Sequence, residues 1–261
     1  MKVKVTKVNG NNNTFVLLYK EALIKNPILN KNLINRICNF DNKIVDGLLV
    51  LEYINTKKIK LDYFNNDGTW ETLCVNGVRC AALYIYNKYK IKEINIECGD
   101  GIHNTLIKEK NISVSMLEPF YVTNQINIYG HKGFFINSGA KHFITPIDDL
   151  KIDKNILIKI AKKIKSNTKE FPDGVNVNFY KIINKETIEV ITYEKGIEDI
   201  VESCASGSFA CAYHLVKKGL INKNINVINS GGSLKIKFST NFNKNYIIAG
   251  AFIGKEYFIN I

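Results

Sequence analysis

Two stretches of the chain look alike. Residues 73–91 read LCVNGVRCAALYIYNKYKI and residues 203–221 read SCASGSFACAYHLVKKGLI. In each, a cysteine stands three residues before a glycine, and small residues follow. An apolar run with helical spacing then closes on Ile91 or Ile221. A chain that writes one turn twice, about 130 residues apart, is constrained to fold as two similar halves.

The periodicity around the turns repeats as well. In the first half, KVKVTKV and TFVLLYK alternate or run apolar as strands do, and Ile28 to Asn39 carries helical spacing through Leu29, Leu33 and Ile37. IVDGLLVLEYI and KIKLDYFNN return to strand, and NNDG at 65–68 is a turn signal ahead of Cys74. After the first copy, INIECGDGIHNTLIKEKNISVSM reads as two or three strands. In the second half, Asp153 to Asn167 predicts an amphipathic helix with Ile156, Leu157, Ile160, Ala161 and Ile164 on one face. VNVNFYKII and TIEVITYEKG read as strands leading to Cys204, and INVINSGGSLKIKFS and YIIAGAFIGKEYFINI as late hairpins. Asn13-Thr14-Phe15 and Asn176-Val177-Asn178-Phe179 each open a strand. The expectation is an α+β protein of two pseudo-twofold-related domains. The boundary falls near Glu118-Pro119, giving 1–118 and 119–249, with the strand at 250–261 returning to the first.

Composition narrows the function classes. Hydrophobic residues make up 46% of the 261, enough for true cores. Lys and Arg outnumber Asp and Glu by 36 to 24, a net charge of +12. The basic residues are mostly scattered lysines with no Arg cluster and no interleaved stacking aromatics, so no nucleic-acid partner is expected. No apolar run approaches membrane length and MKVKVTKVNG lacks a signal-peptide pattern, so no membrane partner is expected and a cytoplasmic location is. The six cysteines, at 38, 74, 80, 98, 204 and 211, form no CxxC pair and none has a His at zinc-ligand spacing. Neither a metal site nor a disulfide framework is expected.

The two turns therefore carry the chemistry. A cysteine just before a helix sits among unpaired N–H groups at the positive end of the helix dipole. That setting lowers a thiol from its free pKa of about 8.5 and also receives an anion such as a carboxylate. Two such termini converging would hold one carboxylate with a thiol on each face of the attached carbon. One thiolate could then remove the α-proton while the opposite thiol returns one, inverting the centre without a cofactor. The surrounding N–H donors would stabilise the developing carbanion.

These residues resemble the motifs of the diaminopimelate epimerase family, and the resemblance runs nearly end to end. The family's C-G-N-G-x-R-C appears as Cys74-Val75-Asn76-Gly77-Val78-Arg79-Cys80, and its C-G-T/S-G as Cys204-Ala205-Ser206-Gly207. F-N-x-D-G is intact at Phe64 to Gly68 and F-P-x-G-V-N-V-N-F at Phe171 to Phe179. G-N-D-F is kept in part at Asn12 to Phe15, and Y-E-R-G appears as Tyr193-Glu194-Lys195-Gly196. G-G-x-L is kept at Gly231 to Leu234. The resemblance implies curved antiparallel-rich sheets around central helices, an active site in the interdomain cleft, a small amino-acid substrate, no cofactor and a homodimer. It implies Cys74 and Cys204 as the acid–base pair that interconverts LL- and meso-2,6-diaminopimelate. The turns Val75, Asn76, Gly77 and Ala205, Ser206, Gly207 would bind the reacting carboxylate, with Asn13, Asn65, Asn176, Glu194 and Lys195 as further substrate contacts.

The chain departs from the family at several positions. Lys195 stands where the family has a carboxylate-clamping Arg, G-x-P-H becomes Gly139-Ala140-Lys141-His142, and Val75 and Ala205 replace glycines. Ile200-Val201-Glu202-Ser203 replaces the E-T-x-A run. A point-charge lysine does not replace a forked guanidinium. This keeps open the same chemistry on another amino acid or on an analogue such as lanthionine. A non-epimerase isomerase of this fold and a basic binding module would each leave the paired cysteines unexplained. Cys80 and Cys211 read as buried structural thiols, His142 as a structural histidine, and Arg79 as either a substrate or a packing residue.

Overall fold

The computed structural model describes residues 2–23, 29–41, 43–149 and 152–260. In chain order it holds β1 (Lys2–Gly10), β2 (Asn13–Tyr19), α1 (Lys31–Cys38), β3 (Gly47–Asn55), β4 (Lys58–Asn65), β5 (Trp70–Glu71), α2 (Val75–Tyr89), β6 (Glu93–Cys98), β7 (Gly101–Lys108) and β8 (Asn111–Met116). There follow β9 (Phe120–Tyr121), β10 (Ile126–Ile128), β11 (His131–Asn137), β12 (Lys141–Pro146), α3 (Lys154–Lys165), β13 (Asn176–Asn184), β14 (Thr187–Glu194), β15 (Asp199–Val201) and α4 (Ala205–Lys217). The chain closes with β16 (Asn224–Asn229), β17 (Gly232–Phe238), β18 (Asn245–Ala249) and β19 (Phe252–Asn260). It divides into two compact units, 1–115 with 248–261, and 116–247.

Each unit pairs its strands in the same order. In the first, β1 runs antiparallel to β2, β2 parallel to β3, β3 antiparallel to β4, β4 parallel to β6, and β6 antiparallel to β7. In the second, the same sequence of pairings joins β11, β12, β13, β14, β16 and β17. A parallel pair needs a crossover, and each crossover here carries a helix. α1 and α3 fill the first crossover of each unit, and α2 and α4 the second. The repeated turn is thus the entry to the second crossover helix, preceded in both units by a short antiparallel strand, β5 or β15. In the first unit β19 also pairs antiparallel with β1, so the chain's end completes that sheet.

The two kinds of helix differ as their sequences do. α1 and α3 are amphipathic and cover one face of their sheets, whereas α4 is buried continuously from Ala205 to Val216, and α2 from Val75 to Ala82 and again at Ile85. A helix apolar all round is a core helix, and small residues such as Ala81, Ala82, Ala210 and Ala212 let strands approach it. α2 stops where Lys90 turns left-handed (φ 60°) and donates its N–H to Tyr86 O, and α4 stops at Gly219 (φ 71°), with Leu220 N–H reaching back to Leu215 O.

The structure adjusts the periodicity reading in places. α1 begins after the N-cap Asn30 rather than at Ile28, a residue outside the described ones. On α3 the buried positions are Leu157, Ala161 and Ile164; Ile156 stands half exposed, because one helical residue turns it about 100° from that row. Residues 120–146, to which the sequence reading assigns no element, hold β9 to β12. Their short or interrupted apolar runs give little period to read.

Beneath α3 lies a cluster of Phe135, Phe143, Leu157, Ile164, Phe171, Val177 and Phe179. Phe171 meets Phe135 edge-on at 5.1 Å and Phe143 at 5.6 Å. Replacing it by Ala leaves a cavity that these rings are too rigid to fill. The expected cost is about 3–5 kcal/mol, read as a lowered urea midpoint with an unchanged slope.

Candidate active site

Cys74 is the N-cap of α2 and Cys204 the N-cap of α4, both in extended backbone (φ −129° and −125°). Val75, Asn76, Gly77 and Ala205, Ser206, Gly207 form the first turn of each helix, where N–H groups lack intrahelical partners. At the first turn, Gly77 N–H donates to Cys74 Sγ at 3.4 Å. The predicted Asn13, opening β2, joins it: its Oδ1 accepts from Asn76 Nδ2 at 3.1 Å and lies 3.8 Å from Cys74 Sγ. Asn13 Nδ2 donates in turn to Asp46 Oδ2 at 2.8 Å, which also takes the Thr14 N–H. Asn65, at the end of β4, is fully buried; its Oδ1 accepts from Tyr63 OH at 2.6 Å and its Nδ2 donates to Thr69 Oγ1 at 3.1 Å.

At the second turn Ser206 Oγ lies 3.5 Å from Cys204 Sγ. Behind it, His142 Nε2 is 3.0 Å from Ser206 Oγ, Asn178 Nδ2 is 3.1 Å from His142 Nδ1, and Thr192 Oγ1 donates to Asn178 Oδ1 at 2.8 Å. Burial drives His142 down to about 3, so the ring is neutral at physiological pH. Its Nδ1 accepts from the Asn178 amide, hence Nε2 carries the proton and donates to Ser206. The Ser206 hydroxyl thus links the histidine to the sulfur. Asn176, also predicted, accepts the Lys195 N–H at 2.9 Å, which ties the start of β13 to the Glu194-Lys195 turn.

The sequence argument expects a helix N-terminus to lower both thiols. For Cys204 the structure shows the reverse: burial first, and then the Glu194 charge, push the thiol up to about 12. Ser206 and the Gly207 N–H pull the other way without overcoming them. Desolvation outweighs a helix dipole when the sulfur is almost sealed from water. Cys80 and Cys211 are buried, as expected, and Arg79 is too.

Asp46, Ser138, Asn178 and Thr192 were missed. Asn178 and Thr192 lie within strands, Asp46 just before β3, and Ser138 just past β11, where its hydroxyl donates to Ser206 O at 2.9 Å; only the fold reveals these positions. Asn178 had a faint signal as the second Asn of V-N-V-N. A further group, Cys98, Asp100 and His103 in the β6–β7 hairpin, lies within 4.8 Å and has the chemistry to bind a metal, which the cysteine spacing did not suggest. Both ring nitrogens of His103 are already engaged, Nδ1 by Ser115 O at 2.7 Å and Nε2 by Asp100 Oδ1 at 3.0 Å, so the hairpin is stapled without one. Burial alone would lower His103, but the Asp100 bond and charge raise it overall. A raised His stabilises below its unfolded pKa of about 6.5, and that contribution is lost as pH rises through the folded value. The stability difference between wild type and D100N should therefore be largest near pH 5–6 and shrink above it, as unfolding curves across pH would show.

Comparison with solved structures shows the same fold in other proteins. The chain superposes on a hydroxyproline epimerase from Agrobacterium vitis with a TM-score of 0.78, at 12% identity, over 99% of this chain and 91% of that one. It superposes on a Bacillus anthracis protein of the phenazine-biosynthesis PhzF family with a TM-score of 0.67. Sequence relatives are closer. The chain is 30% identical to the diaminopimelate epimerase of Archaeoglobus fulgidus over 92% of this chain and 90% of that one. It is 28% identical to that of Aquifex aeolicus over 94% of each. The sequence profile described as Diaminopimelate epimerase matches residues 134–251. The chain belongs to the diaminopimelate epimerase family, and it is an isomerase.

The turn glycines separate by what stands over them. A Cβ at Gly77 would meet the end of the Leu49 side chain at 2.6 Å, a group that can swing aside. A Cβ at Gly207 would fall 2.1 Å from Asn178 Oδ1 and 3.2 Å from His142 Nδ1, both held in the chain behind Ser206. G207A should lower stability by about 1–3 kcal/mol and suppress turnover, while G77A costs under about 1.5 kcal/mol, as paired melts and rates would show.

Proposed function

We propose that the protein interconverts LL- and meso-2,6-diaminopimelate, with Cys74 and Cys204 acting on opposite faces of one α-carbon. The observation that carries this is the repeated device: in each unit a cysteine caps the N-terminus of a buried core helix. In this reading the N–H groups of Val75, Asn76, Ala205 and Ser206 bind the α-carboxylate and stabilise the carbanion as the proton leaves. One sulfur takes the α-proton as thiolate and the other delivers a proton as thiol, so no cofactor is needed. Cys204, held as a thiol by burial, starts as the acid. Once it has given its proton to the carbanion, Cys204 is left as the thiolate that takes the α-proton in the reverse direction, while the Glu194 charge favours the thiol form in the resting site. Asn65, Asn176, Glu194 and Lys195 contact the distal ammonium and carboxylate. The names of the sequence relatives support the substrate.

A second reading, the same inversion on another amino acid or on lanthionine, is favoured by Lys195, which offers a distal carboxylate one point charge instead of a fork. Incubation with LL-diaminopimelate in deuterated water separates the two. The expected outcome is deuterium at the α-carbon and a mixture of isomers. Neither, together with racemisation of another amino acid, would reject the substrate. C74A and C204A should each lower inversion at least about a hundredfold, the scale of a lost general acid or base. A variant of either that keeps near-full activity would falsify the two-thiol mechanism.

A further inference from the structure

Arg79 has no exposed surface and is the largest fully buried side chain of the protein. Its guanidinium donates to three neutral oxygens: Asn11 Oδ1 at 2.8 Å, Gly250 O at 2.9 Å, and Asn76 Oδ1. Nε is buried without a partner, and among the described residues no carboxylate pairs with the charge. A buried cation without an anion is costly, and packing alone would be better served by an apolar residue. Arg79 stands one helical turn beyond Cys74, and its acceptor Asn76 leads back to that sulfur. With Asn76 Oδ1 turned to the guanidinium, its Nδ2 must face Asn13, which fixes Asn13 Oδ1 beside Cys74 Sγ at 3.8 Å. The amide orientations along this path are thus set from its cationic end.

We infer that Arg79 is the positioning residue of the first turn: it orients Asn76 and Asn13, and its buried charge favours a Cys74 thiolate or an anion bound at the α2 N-terminus. Also beside this turn are Asp46, which holds the far side of Asn13, and Cys80, which burial pushes up to about 12 and so keeps neutral. Burial lowers Arg79 itself to about 10, so it stays charged at neutral pH. The consequence for turnover rests on the two-thiol reading proposed above, but the test needs no substrate.

Iodoacetamide labelling of the full chain, read peptide by peptide by mass spectrometry at neutral pH, follows Cys74 and Cys204 separately. R79M should slow labelling of Cys74 at least about tenfold, the effect of removing one charge from a poorly solvated site. Cys204 should be unchanged, and R79K should recover most of the Cys74 rate. Equal Cys74 rates in folded R79M and wild type overturn the inference. So does a parallel change at both cysteines, which reports general loosening. If R79M does not fold, R79Q takes its place with the same expectation. A chain that folds only with a cation at 79 assigns the residue to stability and overturns it as well.

Discussion

A helix buried on every side must still satisfy the N–H groups of its first turn, and the rest of this structure is arranged around that demand. α2 and α4 run through the cores of their units, so water does not serve all of their free donors. The sheets bring strand starts and strand ends to the same place: Asn13 beside the first turn, and His142 and Asn178 beside the second. A cysteine at each N-cap is a poor substitute for Ser or Asp as a capping residue. Its presence twice, at the same place in each unit, is the feature on which the proposed inversion rests.

The two turns solve the same problem with different electrostatics. Beside Cys74 are the Asn13 side-chain oxygen and the Gly77 N–H, and the buried Arg79 cation bonds Asn76 behind them. Beside Cys204 are the Ser206 hydroxyl, with the neutral His142 behind it, and the charge of Glu194. Burial dominates the second site and holds its thiol protonated. The units repeat in topology while the groups around their turns differ.

Much of the fold was legible because its periodicity is strong. Strands such as KVKVTKV and KIKLDYFN alternate cleanly, and the amphipathic helices show their apolar rows. Legibility failed where local pattern is short, as in 120–146, and at the edge of a row, as at Ile156. Of the site, the cysteines and turn residues were readable from the duplicated motif. Asp46, Ser138 and Thr192 were not, since such a polar residue looks like any surface one until the fold places it.

The sequence by itself determined that there are two like units, that each carries a cysteine at the head of a core helix, and that the chain resembles one family of epimerases. The tertiary structure decided the state of those groups. It sealed Cys204 and raised its thiol, neutralised His142, and buried Arg79 among uncharged oxygens. The reason is physical: helix position follows from local residue order, whereas the energy of a charge depends on how much water the fold removes and which dipoles replace it.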